Sequence, residues 1–239
     1  MSPGKVFLVG AGPGDPDYLT VAGARVLATA QVVVRDALLS PAFEALFPPD
    51  ATVHFAGKRC GSHALTQEAI HALLIREAKA GKRVVRLQGG DPSLFGRLGE
   101  ELAALRAAEI PYEIIPGVSS FTAGAARAGF PLTLRGVSGQ VHLVDGHALD
   151  GEGFDFAPLV AYAGTLVFFM AAGKIGRLVE GLLAAGMAEN MPIALVESAT
   201  CDGERVTVST LREARAKGLS RVGDGPGIVY VGRVVGGGR

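Results

Sequence analysis

The sequence predicts an α/β fold with two sheets, the first mostly parallel and the second mixed. In the first half of the chain, short apolar runs alternate with segments of helical spacing, which favours a parallel sheet covered by helices. In the second half, several strand-like runs follow one another without a helix between them, which indicates a mixed sheet. Hydrophobic residues make up 49% of the chain, so it can bury a large core.

The elements of the first half are bounded by recognisable start and stop signals. Strands are predicted at "KVFLVG", "QVVVRD", "ATVHFAG", "RVVRLQGG" and "PYEIIPG". Helices are predicted at "VAGARVLATA" and "GEELAALRAA", and a third lies between them, where Thr66 can cap the start and Gly81 the end. These elements form a predicted N-terminal α/β domain of residues 1–116.

The second half begins with the small-residue helix "SSFTAGAARAG". Strands are predicted at "GQVHLVDG", "TLVFFM", "PIALVES", "ERVTVST" and "GIVYVGRVV". The "IPGVSS" segment before the helix is the predicted boundary, which leaves residues 117–239 as a second α/β domain.

Composition and charge exclude several classes of protein. Lys and Arg total 23, as do Asp and Glu, so the chain is not built around nucleic acid or an anionic membrane surface. Cys60 and Cys201 form no C-x-x-C pair, which argues against a disulfide framework or a zinc cluster. No apolar run approaches the ~20 residues that span a bilayer, and no signal peptide is recognisable. We therefore expect a cytoplasmic protein.

The loop "VGAGPGDPDYLT" follows the first predicted strand, where a glycine-rich turn is typical of dinucleotide sites. Its glycines are spaced G-x-G-x-G, and Asp15 stands where the third glycine of the fingerprint belongs. Two prolines also remove amide donors that a pyrophosphate would need. The loop argues against a nicotinamide site, although Asp36 ends the second strand, where such a fold places its ribose-binding acid. A tight turn without a ligand is the other alternative.

Unusual loops recur after successive predicted strands, and the carboxyl ends of parallel strands meet at one edge, where ligands bind. Asp36 and Lys58 each follow a strand. A lone charged residue is most often simply exposed. Because these two share an edge with the glycine loops, they are candidates for acid–base chemistry.

The motif "GGDP" is the most constrained of these loops. Gly89 and Gly90 permit close approach of the backbone to a ligand, and Asp91 can accept hydrogen bonds from hydroxyls or an amine. A turn with a helix-capping aspartate explains the same motif. Ser119 and Ser120 likewise suit either a helix cap or a ligand contact.

By themselves, Met170 and the five histidines do not indicate a ligand or metal site. Met170 ends the apolar strand "TLVFFM", so its composition alone indicates core. The five histidines form no H-E-x-x-H motif and no close pair, so we expect no metal site.

Taken together, these loops resemble one family closely, the uroporphyrinogen-III C-methyltransferases, which are tetrapyrrole methyltransferases. The resemblance covers almost the whole chain. It is carried, in order, by "VFLVGAGPGDPDYLT", "RDALLS", "GKRCG", "RVVRLQGGDPSLFGRLGEE", "IPGVSS", "GFPLTLRG", "TLVFFM" and "PIALVESAT".

The resemblance implies two α/β domains of the tetrapyrrole methyltransferase type, with the active site in the cleft between them, and a homodimer. It implies S-adenosyl-L-methionine as the cofactor, with S-adenosyl-L-homocysteine as its product. The implied reaction methylates uroporphyrinogen III at C2 and C7, which gives precorrin-2 for siroheme and cobalamin biosynthesis. It needs neither a metal nor a redox cofactor.

The resemblance also implies roles for residues that match the family's motifs. Asp36 occupies the family's proposed proton-acceptor position and Lys58 its proposed proton-donor position. The implied cofactor-binding residues are Pro13, Gly89, Gly90, Asp91, Leu94, Ser119, Ser120, Met170, Ala199 and Gly227.

The chain departs from the family's usual motifs at several positions. Arg35 replaces a tyrosine, Gln88 a lysine and Leu134 a histidine, and Ser93 and Leu98 alter the segment after "GGDP". We expect these changes on the substrate side of the site, since the cofactor motifs are kept. The resemblance therefore predicts methyl transfer, and these changes bear on which tetrapyrrole is the substrate.

Two alternative functions are also compatible with the sequence. One is a later corrinoid-pathway methyltransferase such as the precorrin-4 C-methyltransferase. Such siblings typically have "YAGSLV" where this chain has "RDALLS", so Asp36 favours the uroporphyrinogen enzyme. The other is a catalytically silent module that binds S-adenosyl-L-methionine, which only Gln88 and Leu134 support.

Overall fold

In the computed structural model, which describes residues 4–57, 65–151 and 153–236, ten strands form two five-stranded sheets. The chain divides into two compact units, Met1–Ser120 and Phe121–Arg239, each with one sheet. The boundary that the sequence places between residues 116 and 117 remains a prediction. Within the described ranges, none of the helices is long and apolar enough to cross a lipid bilayer.

The first unit alternates strands and helices, as the sequence predicts. Its elements are β1 (Lys5–Gly10), α1 (Val21–Leu27), β2 (Val32–Arg35), β3 (Thr52–Phe55), α2 (Gln67–Lys79), β4 (Arg83–Gln88), α3 (Leu98–Ala107) and β5 (Tyr112–Ile115). Thr66 caps α2 by accepting a hydrogen bond from the Ala69 amide (3.2 Å), and Gly81 follows the helix with φ +80°. The predicted start and end of this helix are therefore confirmed.

The first sheet has the order β3-β2-β4-β1-β5, and every pairing in it is parallel. Its three central strands, β2, β4 and β1, are buried on both faces because helices cover both. Val6 and Leu8 of β1 pack with the apolar side chains of α2 and α3, whereas Phe7 and Val9 pack with those of α1. The expectation of a mostly parallel first sheet is confirmed.

The second unit has a mixed sheet. Its elements, after α4 (Ser120–Arg127) at the division, are β6 (Val141–Asp145), α5 (Ala157–Ala161), β7 (Thr165–Phe169), α6 (Ile175–Ala184), β8 (Pro192–Glu197), β9 (Arg205–Thr210), α7 (Leu211–Lys217) and β10 (Gly227–Val231). The sheet order is β6-β7-β10-β8-β9, with β6 and β7 parallel and the other neighbours antiparallel. The expectation of a mixed sheet is confirmed. The expectation that several strands follow one another without a helix is wrong except for β8 and β9, because short helices occupy the other connections.

Tyr230 of β10 is the largest fully buried side chain in the described core of this unit. Its ring packs edge to face on Phe130, with centroids 5.3 Å apart, and its hydroxyl donates to the Phe121 carbonyl at 2.9 Å. Burial raises the pKa of this phenol, so it stays a neutral donor. It thereby ties the start of α4 to the centre of the second sheet.

Candidate active site

The carboxyl ends of all five strands of the first sheet lie at one edge, because the sheet is parallel throughout. The loops at this edge carry most of the residues that the sequence singles out. These are Pro13 after β1, Asp36 after β2, Gly89, Gly90, Asp91 and Leu94 after β4, and Ser119 and Ser120 after β5. Lys58, which follows β3, lies outside the described residues, so its role as a proton donor remains a prediction.

Four glycines at this edge, Gly10, Gly12, Gly90 and Gly117, pack loop backbone against loop backbone; we call them the glycine junction. The Gly90 amide donates to the Gly12 carbonyl (2.7 Å), and the Gly12 amide to the Gly90 carbonyl (3.2 Å). A Cβ added to Gly10 would lie 2.6 Å from the Cα of Gly117 and 2.7 Å from the Gly90 oxygen. These glycines therefore serve first to bring the loops after β1, β4 and β5 together.

Gly89 lies next to the junction but has more open surroundings. A Cβ there would contact only the Leu38 side chain, at 3.4 Å. Pro13 and Leu94 are half-buried in the neighbouring loops. The edge therefore offers accessible backbone beside small or apolar groups, which suits close contact with a small organic ligand.

Asp91 joins the "GGDP" loop to the loop after β5. One carboxylate oxygen accepts from the Gly117 amide at 2.9 Å, and the other from the Ser93 amide at 2.8 Å and from the Ser93 hydroxyl. Burial raises the pKa of Asp91, but the hydrogen bonds from Ser93 and Gly117 outweigh it, so the pKa lies below its ordinary value of 3.8. Asp91 thus remains ionised at neutral pH and fixes both loops.

Replacing Asp91 with asparagine is expected to lower the free energy of unfolding by ~2 kcal/mol at pH 7. An amide has one acceptor oxygen, so its NH2 group must face either the Gly117 amide or the Ser93 amide, and two donors then oppose each other. Urea unfolding at pH 7 measures the loss.

The same variant has an expected pH dependence. Since the folded-state pKa of Asp91 is lowered, its contribution is present above the ordinary pKa and is lost as the pH falls through the lowered value. The stability difference between the two proteins should therefore shrink as the pH falls below about 4. A difference that is constant between pH 7 and pH 3 would contradict this account of Asp91.

Asp36 is anchored to β4 by both its backbone and its side chain. Its amide donates to the Leu87 carbonyl at 3.1 Å, and its Oδ1 lies 2.6 Å from Nη2 of Arg86. The Arg86 Nε donates to Oε1 of Glu101 at 3.1 Å. The Asp36 side chain is 28% exposed, whereas those of Arg86 and Glu101 are 4% and 0% exposed. Asp36 is therefore the accessible end of a buried charged cluster.

Arg86 attracts both carboxylates of this cluster, whereas the two carboxylates repel each other. Burial lowers the pKa of Arg86, but Asp36 and Glu101 raise it by more, so it lies above its ordinary value. Burial also raises the pKa of Glu101, and Arg86 offsets this only in part. Arg86 is consequently a permanent cation beside Asp36, and the Asp36 carboxylate can stabilise positive charge or accept a proton at the edge of the sheet.

The second sheet gathers another group of predicted residues at one edge. Strands β6, β7 and β8 run in the same direction and end there, and β10 begins there with Gly227 opposite Glu197. Met170 follows β7 and Ala199 follows β8. The topology therefore places Met170, Ala199 and Gly227 at a common edge.

Met170 is not part of the core. Its side chain is 40% exposed and its φ is +53°, a conformation that a residue with a Cβ rarely adopts. Ser198 and Thr200, on either side of Ala199, have φ of +48° and +69°. The interpretation of Met170 as core, made from composition, is wrong, and strained backbone at this edge is typical of functional loops.

Two of the departures from the family's motifs are internal. Arg35 is buried and donates to Glu44 (2.9 Å) and to the Leu39 carbonyl (2.9 Å). Gln88 is buried and donates to the Gly96 carbonyl at 2.9 Å. The expectation that these changes lie on the substrate side is wrong for Arg35 and Gln88, because each side chain holds a loop of the first unit from within.

Sequence reasoning missed Arg86 and Glu101. The signal was available in "RVVRLQGG", where a charged residue stands inside an apolar strand. A buried charge needs a partner, so such a residue indicates an ion pair. Which carboxylates supply the partners depends on the packing of α3, and the strand motif does not carry that information.

Most of the chain is similar in sequence to known proteins. The family model described as Tetrapyrrole (Corrin/Porphyrin) Methylases matches residues 5–215. Siroheme synthase 2 of Cronobacter sakazakii is 45% identical over 232 residues, 97% of this chain and 50% of that protein. The siroheme synthase of Salmonella typhi is 44% identical over 232 residues, with the same shares. The chain thus spans about half the length of the curated relatives it matches.

Two solved structures are similar over nearly the whole fold. Uroporphyrin-III C-methyl transferase from Thermus thermophilus, complexed with S-adenyl homocysteine, is 36% identical with a TM-score of 0.82, covering 98% of this chain and 94% of that one. A cobalt precorrin-4 methyltransferase is 28% identical with a TM-score of 0.82, covering 97% and 95%. The two-sheet fold is therefore shared with both.

Proposed function

Because the chain belongs to the tetrapyrrole (corrin/porphyrin) methylases, we propose that it methylates uroporphyrinogen III at C2 and C7 to give precorrin-2, the precursor of siroheme and cobalamin. The observation that carries the proposal is the Asp36 carboxylate, held by Arg86 at the carboxyl edge of the first sheet. The choice of substrate is supported by the greater identity to siroheme synthases and to a uroporphyrin-III C-methyl transferase than to the precorrin-4 enzyme.

S-adenosyl-L-methionine is the proposed cofactor, and it would supply the methyl group as a sulfonium that a carbon nucleophile can attack. The open surroundings of Gly89 suit close approach of a compact organic cofactor to the backbone of the first unit. The residues proposed to hold it are Pro13, Gly89, Gly90, Asp91, Leu94, Ser119, Ser120, Met170, Ala199 and Gly227. In this proposal Asp91 acts mainly by fixing the loops, since its carboxylate already accepts three hydrogen bonds.

Asp36 is the proposed proton acceptor. A pyrrole β-carbon such as C2 or C7 becomes quaternary when it gains a methyl group, and its ring stays cationic until the macrocycle loses a proton from a nitrogen or a bridging carbon. A carboxylate held against the ring stabilises that charge and accepts the proton. Arg86 keeps the carboxylate in one place, and Lys58 is the proposed proton donor. Holding the reacting carbon close to the methyl group, in the right orientation, lowers the activation barrier further.

A homodimer is the proposed assembly and the cytoplasm the proposed location. Strand β9 is an edge of the second sheet, and its Val206 and Val208 are exposed. An edge strand that presents apolar side chains is a surface that a second copy can cover.

The deciding experiment is an anaerobic assay of the purified protein with S-adenosyl-L-methionine and uroporphyrinogen III. We expect a product with two added methyl groups and the absorption of precorrin-2. A uroporphyrinogen-III C-methyltransferase assayed in parallel is the positive control.

Each other outcome identifies a different function. Methylation of precorrin-4 but not of uroporphyrinogen III would establish the sibling activity. Binding of S-adenosyl-L-homocysteine without methylation of either tetrapyrrole would establish a silent module. If the protein neither binds S-adenosyl-L-homocysteine nor methylates either tetrapyrrole, both the proposed cofactor and the proposed substrate are wrong.

A further inference from the structure

The charged cluster behind Asp36 extends from β4 to two helices. Arg86 reaches Asp36 with Nη2, the Val34 carbonyl with Nη1 (3.4 Å) and Glu101 with Nε. Oε1 of Glu101 also accepts a hydrogen bond from Nε2 of Gln67 of α2, at 3.2 Å. The guanidinium is therefore fixed on three sides, by Val34 of β2, by Glu101 of α3 and by Asp36 in the loop after β2.

Glu101 is the member of the cluster that has no contact with solvent. Its side chain is fully buried, and its second oxygen, Oε2, has no hydrogen-bond partner among the described residues. Burying a carboxylate away from water costs free energy unless a partner of opposite charge or a hydrogen-bond donor offsets that cost. Its one charged hydrogen-bond partner in the described part of the chain is Arg86, so its effect on Asp36 passes through that residue.

We propose that Arg86 and Glu101 are positioning residues, with Glu101 orienting the Arg86 guanidinium so that it fixes the Asp36 carboxylate for proton transfer. This inference rests on the proposed function, in which Asp36 accepts the proton. Neither residue contacts the substrate in this proposal. Both act only through Asp36.

A double-mutant cycle on kcat tests this dependence. Arg86→Lys keeps the charge and loses the planar fork, and Glu101→Gln keeps the shape and the hydrogen-bond acceptor. We expect Arg86→Lys to lower kcat about tenfold through displacement of Asp36, with KM changed less than about twofold. Glu101→Gln should give a smaller decrease of the same kind.

In the Asp36→Asn background, the same two substitutions should cost nothing further. If Arg86 and Glu101 act through Asp36, the double variants should have the kcat of Asp36→Asn within about twofold. Losses that multiply in the double variants would overturn the inference, as would a rise in KM with kcat unchanged.

The matched control is Glu77→Gln, another buried carboxylate on the neighbouring helix α2, paired with Lys82 and Arg76. It should leave kcat unchanged, and an equal loss in this variant would overturn a specific role for Glu101. Affinity for S-adenosyl-L-homocysteine confirms folding of each variant. If Arg86→Lys does not fold, the double-mutant cycle of Asp36→Asn with the nearly isosteric Glu101→Gln tests the inference by itself. An inactive wild-type protein would instead refute the proposed function, before any variant is compared.

Discussion

Replacing Asp36 with asparagine is expected to lower kcat by about a hundredfold or more, the usual contribution of a positioned general base. Asparagine has almost the same shape and can still accept from Arg86, so the edge of the first sheet should keep its structure. What it loses is the negative charge that stabilises the methylated ring and the ability to accept its proton. Single-turnover measurements under anaerobic conditions would give the rate of each methyl transfer.

The control for this variant is binding of S-adenosyl-L-homocysteine, measured by calorimetry. The affinity should change less than about threefold, because the hydrogen bonds and ion pairs of the described cluster join Arg86 to Asp36, Glu101 and Val34, none of which is a proposed cofactor-binding residue. Unchanged turnover would remove Asp36 from the mechanism. A parallel loss of binding and turnover would show that the substitution acts on the fold.

Replacing Gly10 with alanine is expected to lower the free energy of unfolding by about 3 kcal/mol, the upper range for overpacking. The new Cβ would lie 2.6 Å from the backbone of Gly117 and 2.7 Å from the Gly90 oxygen. Backbone atoms cannot turn aside as a flexible side chain can, so the loops after β4 and β5 must separate. Because those loops carry proposed cofactor-binding residues, affinity for S-adenosyl-L-homocysteine should also fall.

Gly99→Ala is the matched control for this prediction. Gly99 lies in α3, and a Cβ there would meet no atom within 4 Å apart from its chain neighbours and the backbone of its own helix. Alanine favours a helix over glycine by about 0.5–1 kcal/mol, so this variant should be as stable as the wild type or more so. Urea unfolding of the two variants side by side is the measurement. Equal stability of both would show that the glycine junction tolerates a side chain.

The strands were the most predictable part of the fold. Runs such as "KVFLVG" and "GIVYVGRVV" are apolar and bounded by turn residues, and β1 and β10 occupy them. The second sheet was correctly predicted to be mixed, although the premise held only for β8 and β9, because α5, α6 and α7 separate the other strands. The strand runs themselves were recognised in both halves of the chain. These predictions depend on local pattern alone, which a single sequence contains.

The burial of individual polar side chains was less predictable. Arg35 and Gln88 stand next to loop motifs, which suggested a ligand-facing role, yet both side chains are buried and hydrogen-bonded within the first unit. Met170 belongs to an apolar run, yet it lies just beyond the strand with positive φ and is exposed. In each case the outcome depends on where the strand ends and on what packs beside it, and those are tertiary properties.

The order of strands in the first sheet has a consequence for synthesis of the chain. Strand β1 leaves the ribosome before the other strands of the first sheet, but Val6 lies opposite Val84 on one side and Tyr112 on the other. The apolar segment Val6–Val9 therefore has no sheet partner until β4 has emerged, and it remains an open edge until β5 follows. Such long-range parallel pairing folds slowly and exposes apolar surface in the meantime. The nascent first unit is thus a stage at which protection of the β1 segment from aggregation would assist folding.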